Sequence, residues 1–216
     1  MNNRRLYDRV EEPLANRLRV VSLALLELRV DGRSSRIYIN EIAEAIDQGL
    51  LLAATELATT LLEIWVRDLL VVRRATKSEI KSRRELDYLL MKIDLEIEGI
   101  SRGLMFSTMC NELLELNVIT QAELEWLQNI YKKTRTPLHH GISGRIVGSN
   151  EIDKDFIDNA SSMENMFLAT VLCSPPHRRA NDLEDSIYES SAEILEGIVN
   201  FLGTHQIPSF SKRPIT

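Results

Sequence analysis

Arg135 and His140 enclose four residues in the stretch YKKTRTPLHHGIS, Tyr131 to Ser143. A guanidinium is always charged and can hold two phosphate oxygens at once. An imidazole titrates near neutral pH and can take or give a proton. The two groups together are the minimum for cleaving RNA without a metal. A base removes the ribose 2′-OH proton while a cation stabilises the crowded phosphate. Lys132, Lys133 and Arg145 could bind the flanking backbone phosphates, with Thr136 and His139 as polar neighbours. No acid occurs from Trp126 to Asn150, although the whole chain has a net charge of −6. Plainer uses of these residues stay open. Arg135 can pair with a carboxylate or with helix-end carbonyls, and one histidine can serve packing alone.

The elements around this stretch must turn the chain sharply. Thr120 and Glu123 form a capping-box pair, so a helix starts there and carries Leu124, Leu127 and Tyr131. Pro137 disfavours helical backbone at Thr136 and ends that helix near Thr134 or Arg135. Thr136 can cap a following turn whose first position suits Pro137. Arg135 and His140 then share an edge where a helix N-terminus attracts anions, and Gly141 leaves the approach open.

Helical periodicity runs through most of the chain, and strand signals are scarce. SRIYI and RIVGS are the only short β-branched runs. A first helix is expected from about Leu14 to Val30, ended by Asp31-Gly32, with DGRSSR as a loop. Asn40 is a plausible N-cap for a helix bearing Ile42, Ala43 and Ile46, which either ends or continues at Gly49. From Leu50 to Val72, apolar residues recur at three- and four-residue steps, marking the central helix. Leu86, Leu89, Leu90, Ile93 and Ile97 share a face of the next helix, and a short one spans about Leu104 to Leu116. Two more are expected at about Asp153–Leu172 and Leu183–Leu202, separated by the loop CSPPHRRAND. Trp65, Trp126, Met105, Met109, Met163 and Met166 read as packing residues. The pattern predicts an all-α bundle.

Several chemistries find no support. There is no Gly-rich phosphate loop, no paired-carboxylate signature, and no Ser or Cys nucleophile in a fitting context. Cys110 and Cys173 sit among apolar neighbours and are expected as buried thiols. CSPPH offers no second ligand pair beside Cys173 and His177, so neither a metal nor another cofactor is expected. The opening MNNRRLYDRVEEP lacks the apolar core of a signal peptide, and charges interrupt the longest apolar run. A cytoplasmic location away from membranes is the expectation. The basic cluster Arg73–Arg84 reads as a solvated helix end, with an RNA path as its sharper alternative.

The segment VITQAELEWLQNIYKKTRTPLHHGI, Val118 to Ile142, resembles the signature region of the HEPN superfamily (higher eukaryotes and prokaryotes nucleotide-binding domain). Members show a capped helix with leucines, an Arg, a polar residue, three further residues, a His and often a Gly. Arg135, Thr136, Pro137-Leu138-His139, His140 and Gly141 match that order. AATELATTLLEIWVRDLLVVR resembles the long helix that opens many such domains. The resemblance covers about Asn40 to Gly203.

It implies a HEPN-like bundle, placed over residues 36–206; the helical pattern itself sets off an N-terminal helical extension over 1–35 and a loose tail over 207–216. The resemblance also implies a homodimer whose Arg/His motifs face one another. Many members are metal-independent endoribonucleases of toxin–antitoxin, phage-defence or RNA-processing systems. An antitoxin or other protein partner is thus an expectation alongside RNA. By the match, Arg135 would be the phosphate-stabilising cation and His140 the general acid/base. Other members are non-catalytic binding or assembly modules, which is the alternative here. Two positions depart from the pattern. Thr136 replaces the usual Asn or Asp, and Ile142 stands where some toxins carry a modifiable Tyr.

Overall fold

A computed structural model describes residues 4–30, 33–76, 82–98, 105–135 and 175–207. Among them the regular secondary structure is all helical, without strands, so the fold is all-α. The helices are α1 (Arg4–Arg9), α2 (Glu12–Glu27), α3 (Arg33–Asp47), α4 (Leu51–Ala75), α5 (Arg83–Glu98), α6 (Phe106–Glu115), α7 (Gln121–Ile130) and α8 (Pro175–Thr204). A π-helical turn, Tyr131–Arg135, continues α7. The expected helix at Asp153–Leu172 lies outside the described residues, as do Met163, Met166, Cys173 and the run RIVGS.

The periodicity of α4 dictates its place. Apolar residues fall on almost every side, so the helix must be covered nearly all round. It packs against α3, α5, α6, α8 and the π turn. Trp65 is 2% exposed at its middle. Thr55 and Thr59 are buried too, and their hydroxyls donate to the carbonyls of Leu51 and Glu56 at 2.8 and 2.9 Å, which removes the cost of an unmet donor. Leu6 of α1 and Leu18 and Leu25 of α2 join the same core.

The helix starts differ from the sequence expectation in two places. Asn40 is no N-cap, because α3 already begins at Arg33. Ser35, Ile39, Ile42, Ala43 and Ile46 form its buried face, so the β-branched SRIYI is read with helical period. Arg36 in that first turn donates to the carbonyls of Leu26 and Leu28 at 3.4 and 3.2 Å, closing the end of α2. α2 itself stops at Glu27, short of Val30. At the other end of the chain, α8 starts at Pro175, so PPHRRAND is helical and not a separating loop. Prolines suit a first turn, whose N–H groups have no intrahelical partner. Met105 also departs from expectation: it is 75% exposed, whereas Met109 is buried.

Two helix ends use the left-handed conformation. After α3, Gly49 has φ +70°, with Gly49 N donating to Ile46 O and Leu50 N to Ala45 O at 2.8 and 2.9 Å. After α6, Asn117 has φ +55°, with Asn117 N on Leu114 O and Val118 N on Leu113 O, both at 2.9 Å. Each pair of bonds satisfies two terminal carbonyls. A Cβ on Gly49 would also meet Arg9 Cβ at 3.1 Å, so both backbone and packing need glycine here. Gly49→Ala is expected to cost about 1–2 kcal/mol, read as a lower urea midpoint at unchanged m. An unchanged midpoint would remove this account of the α3–α4 corner.

Candidate functional site

The capping box at Thr120 is formed as the sequence predicts. Glu123 N donates to Thr120 Oγ1 at 3.3 Å, and Thr120 N donates to Glu123 Oε2 at 2.7 Å. From there α7 buries Leu124, Leu127 and Ile130 and runs into the π turn without a break. The turn has two inward anchors. Tyr131 stacks on Phe106 with ring centroids 4.4 Å apart and planes 8° from parallel. Thr134 is 2% exposed. Lys132 and Lys133 lie between these anchors and point to solvent. The turn packs on α4.

Of the sequence-predicted residues, Lys132 and Lys133 are thus brought together on one exposed turn. The backbone of Arg135 closes the turn. Its side chain and all of Thr136, His139, His140 and Arg145 lie outside the described residues. In the Arg73–Arg84 cluster, Arg74 is engaged by α6: its Nε and Nη2 donate to Glu112 Oε1 and Oε2 at 2.7 and 2.6 Å. That two-pronged pair makes Arg74 a tie between α4 and α6.

A second ionisable constellation escaped sequence reasoning. His205 Nε2 lies 2.7 Å from Glu123 Oε1, and Trp65 Nε1 donates to the His205 carbonyl at 2.7 Å. The imidazole also packs on Phe201, centroids 4.5 Å apart. These residues come from α7, α4 and the end of α8. Eighty-two positions separate Glu123 from His205, so no local spacing signals the pair. The only hint was that Glu123 had a role at a helix start. The His205 side chain is only 12% exposed, which suits a tie between helix ends better than a reacting group.

Burial has clear electrostatic effects elsewhere. It pushes the Cys110 thiol up to about 12, leaving it inert at neutral pH. It also raises Asp68 of α4 to about 6, against the pull of nearby Arg67 and with the help of Asp94. Arg67 itself donates to Asp94 Oδ1 from Nε and Nη2 at 2.9 and 2.7 Å. Among the described residues, no group of three or more His, Cys, Asp or Glu could hold a metal ion. No described helix is long and apolar enough to cross a membrane.

Fold and site together define an all-α bundle with an exposed basic turn at the end of one helix. Comparisons with protein-family models, curated proteins and solved structures return no match.

Two pH effects follow, of opposite sign. Burial raises the Glu123 carboxyl, but bonds from Thr120 and His205 outweigh it and hold the group below its ordinary 4.5. Its stabilising contribution is therefore complete above pH 4.5 and is lost as pH falls through the lower folded value. Glu123→Gln should lower the melting temperature at pH 7 and flatten its fall in acid. Asp68 is the reverse case: its folded value of about 6 exceeds the ordinary 3.8, so stability falls as pH rises between them. Asp68→Asn should gain about 1–3 kcal/mol at pH 8 and nothing below pH 3.8. Denaturation at the two pH values checks both, and an equal gain for Asp68→Asn at each would refute the assignment.

Proposed function

We propose that this chain is a HEPN-like, metal-independent endoribonuclease of toxin or phage-defence type, with Arg135 and His140 as its working pair. The observation that carries the reading is the exposed turn bearing Lys132 and Lys133 at the head of a stretch without a single acid. An exposed basic run can take a partner anion, and its own neighbours in sequence supply none. The π-helical turn adds support, since such turns occur often at functional sites. The all-α fold and the formed capping box agree with the motif resemblance at Val118–Ile142.

In this mechanism Arg135 grips the scissile phosphate and offsets the charge gained as the 2′-oxygen attacks. His140 takes the 2′-OH proton, or protonates the departing 5′-oxygen. Lys132, Lys133 and Arg145 hold neighbouring phosphates. A homodimer would supply two such pairs to one cleft. Thr136 in place of Asn or Asp favours a second reading, in which the same turn binds RNA or a partner without cleaving.

Cleavage of total RNA in EDTA, with binding measured beside it across a salt series, tests the proposal. The unaltered protein should cleave, and its affinity should fall as salt rises. His140→Ala should abolish cleavage and retain binding. Arg135→Ala should lose more than about tenfold in rate or affinity, through a charge-assisted contact of about 1.5–3 kcal/mol. Arg135→Lys should restore part of that loss, because it keeps charge without the two-pronged geometry. Salt-sensitive binding without cleavage selects the non-catalytic module, and no binding at all defeats both readings.

A further inference from the structure

Met105 is 75% exposed, the most exposed of the large apolar side chains among the described residues. It holds the N-cap position of α6 with extended backbone, φ −62° and ψ 147°, and its side chain makes no capping bond. Ser, Thr, Asp and Asn are the residues that serve capping there. Met105 therefore adds little to the core and nothing to the cap, while its thioether stands in water at a hydrophobic cost.

Its neighbours give it a use. Phe106, the next residue, is buried and stacks on Tyr131 with ring centroids 4.4 Å apart. The residues after Tyr131 are the exposed Lys132 and Lys133. An apolar side chain and two cations thus stand beside one ring pair. Acids are missing along both segments. The first turn of α6 has none, and neither has the stretch from Trp126 to Asn150.

A ligand that suits both halves carries a negative charge with a flat apolar group next to it. A nucleotide of a single strand does so. Its phosphate suits the lysines. Its unpaired base offers an aromatic face, and a thioether is polarisable and makes favourable contacts with aromatic rings. A duplex keeps its bases stacked inside and would leave Met105 in solvent. An acidic peptide supplies charge without a ring beside each charge, so the pairing of the two favours RNA.

We propose that Met105 is a base-contacting residue, with the phosphates of a single RNA strand on Lys132 and Lys133 and one unpaired base on the Met105 side chain. The contact rests on the reading of the turn as an RNA site, and it needs no cleavage.

Binding of 2′-O-methyl oligouridylate to the full chain tests the contact, because that strand lacks the attacking hydroxyl and stays intact. Its abasic counterpart and its duplex with oligoadenylate are measured beside it, with circular dichroism to verify that each variant is folded. Met105→Ser should weaken binding of the single strand about threefold or more. It should leave the abasic strand and the duplex unaffected and keep the salt slope. Lys132→Ala should instead weaken all three and reduce the slope. Met105→Trp should strengthen the single strand, and the added indole fluorescence should be quenched on binding. If Met105→Ser weakens all three ligands alike, or leaves the single strand unweakened, the base contact is overturned while salt-sensitive binding still upholds the RNA reading. Polyglutamate that binds more tightly than the strand at equal length would assign the turn to an acidic peptide and overturn both. Absence of binding to every strand would overturn both as well.

Discussion

A helix covered on nearly every side can keep a charge only where a neighbouring helix answers it. That constraint on α4 organises the described bundle. Fourteen of its 25 residues are buried, and fully burying one large aliphatic side chain is worth about 1.5–3 kcal/mol. Among its ion pairs, Arg67–Asp94 and Arg74–Glu112 have partly exposed partners and are each worth about 1 kcal/mol or less. Apolar burial therefore supplies the stability, while the pairs choose the angular setting. Arg67 fixes which side of α5 faces α4, and Arg74 does the same for α6. Asp68, beside such a pair, shows the opposite balance: burial outweighs the pull of Arg67 and drives its carboxyl toward the protonated form.

The second fixed point is the meeting of helix ends around Glu123. One carboxylate caps α7 through Thr120 and binds His205 at the end of α8, whose carbonyl in turn receives the Trp65 indole N–H. Three helices are thereby tied at one place. Gly197 belongs to the same assembly. A Cβ there would stand 2.8 Å from Trp126 Cζ2, so α8 approaches the Trp126 ring to the limit that glycine permits. Trp126 stacks in turn on Phe201, four residues farther along α8. The direction of α7, and so the placement of the Tyr131–Arg135 turn, depends on this end being held.

What could be read from the sequence follows from the range of each signal. The α4 pattern and the Thr120 capping box are local and strong, and both are present. Asn40 misled because an N-cap residue beside apolar positions satisfies a local rule, whereas the burial of Ser35 and Ile39 against other helices decides where α3 begins. The two prolines before His177 looked like an interruption, but proline is excluded from helix interiors and not from first turns. The His205–Glu123 tie and the engagement of Arg74 by Glu112 arise only when distant segments meet, so no spacing rule could reveal them. For the basic turn, residue types were legible, and so was the end of the helix near Arg135. Its π-helical form was not, because nothing in the residue types distinguishes a five-residue turn from a four-residue one.

Charge is unevenly placed in this acidic chain. Arg17, Arg67 and Arg74 each have a carboxylate partner within 2.7 Å, the first pair at the surface and the other two partly buried. Lys132 and Lys133 stand instead at the edge of a region without acids. At physiological ionic strength charges interact over about 8 Å, so an anion near the turn would respond to charges within that range more than to the net charge of the chain. At about 0.01 M salt that range grows to about 30 Å, and the net charge of −6 begins to oppose the same approach. An acid-free stretch is therefore most useful to an acidic protein where salt confines the field to its neighbourhood. Under such screening local charge, and not the sign of the whole molecule, sets the potential at the turn.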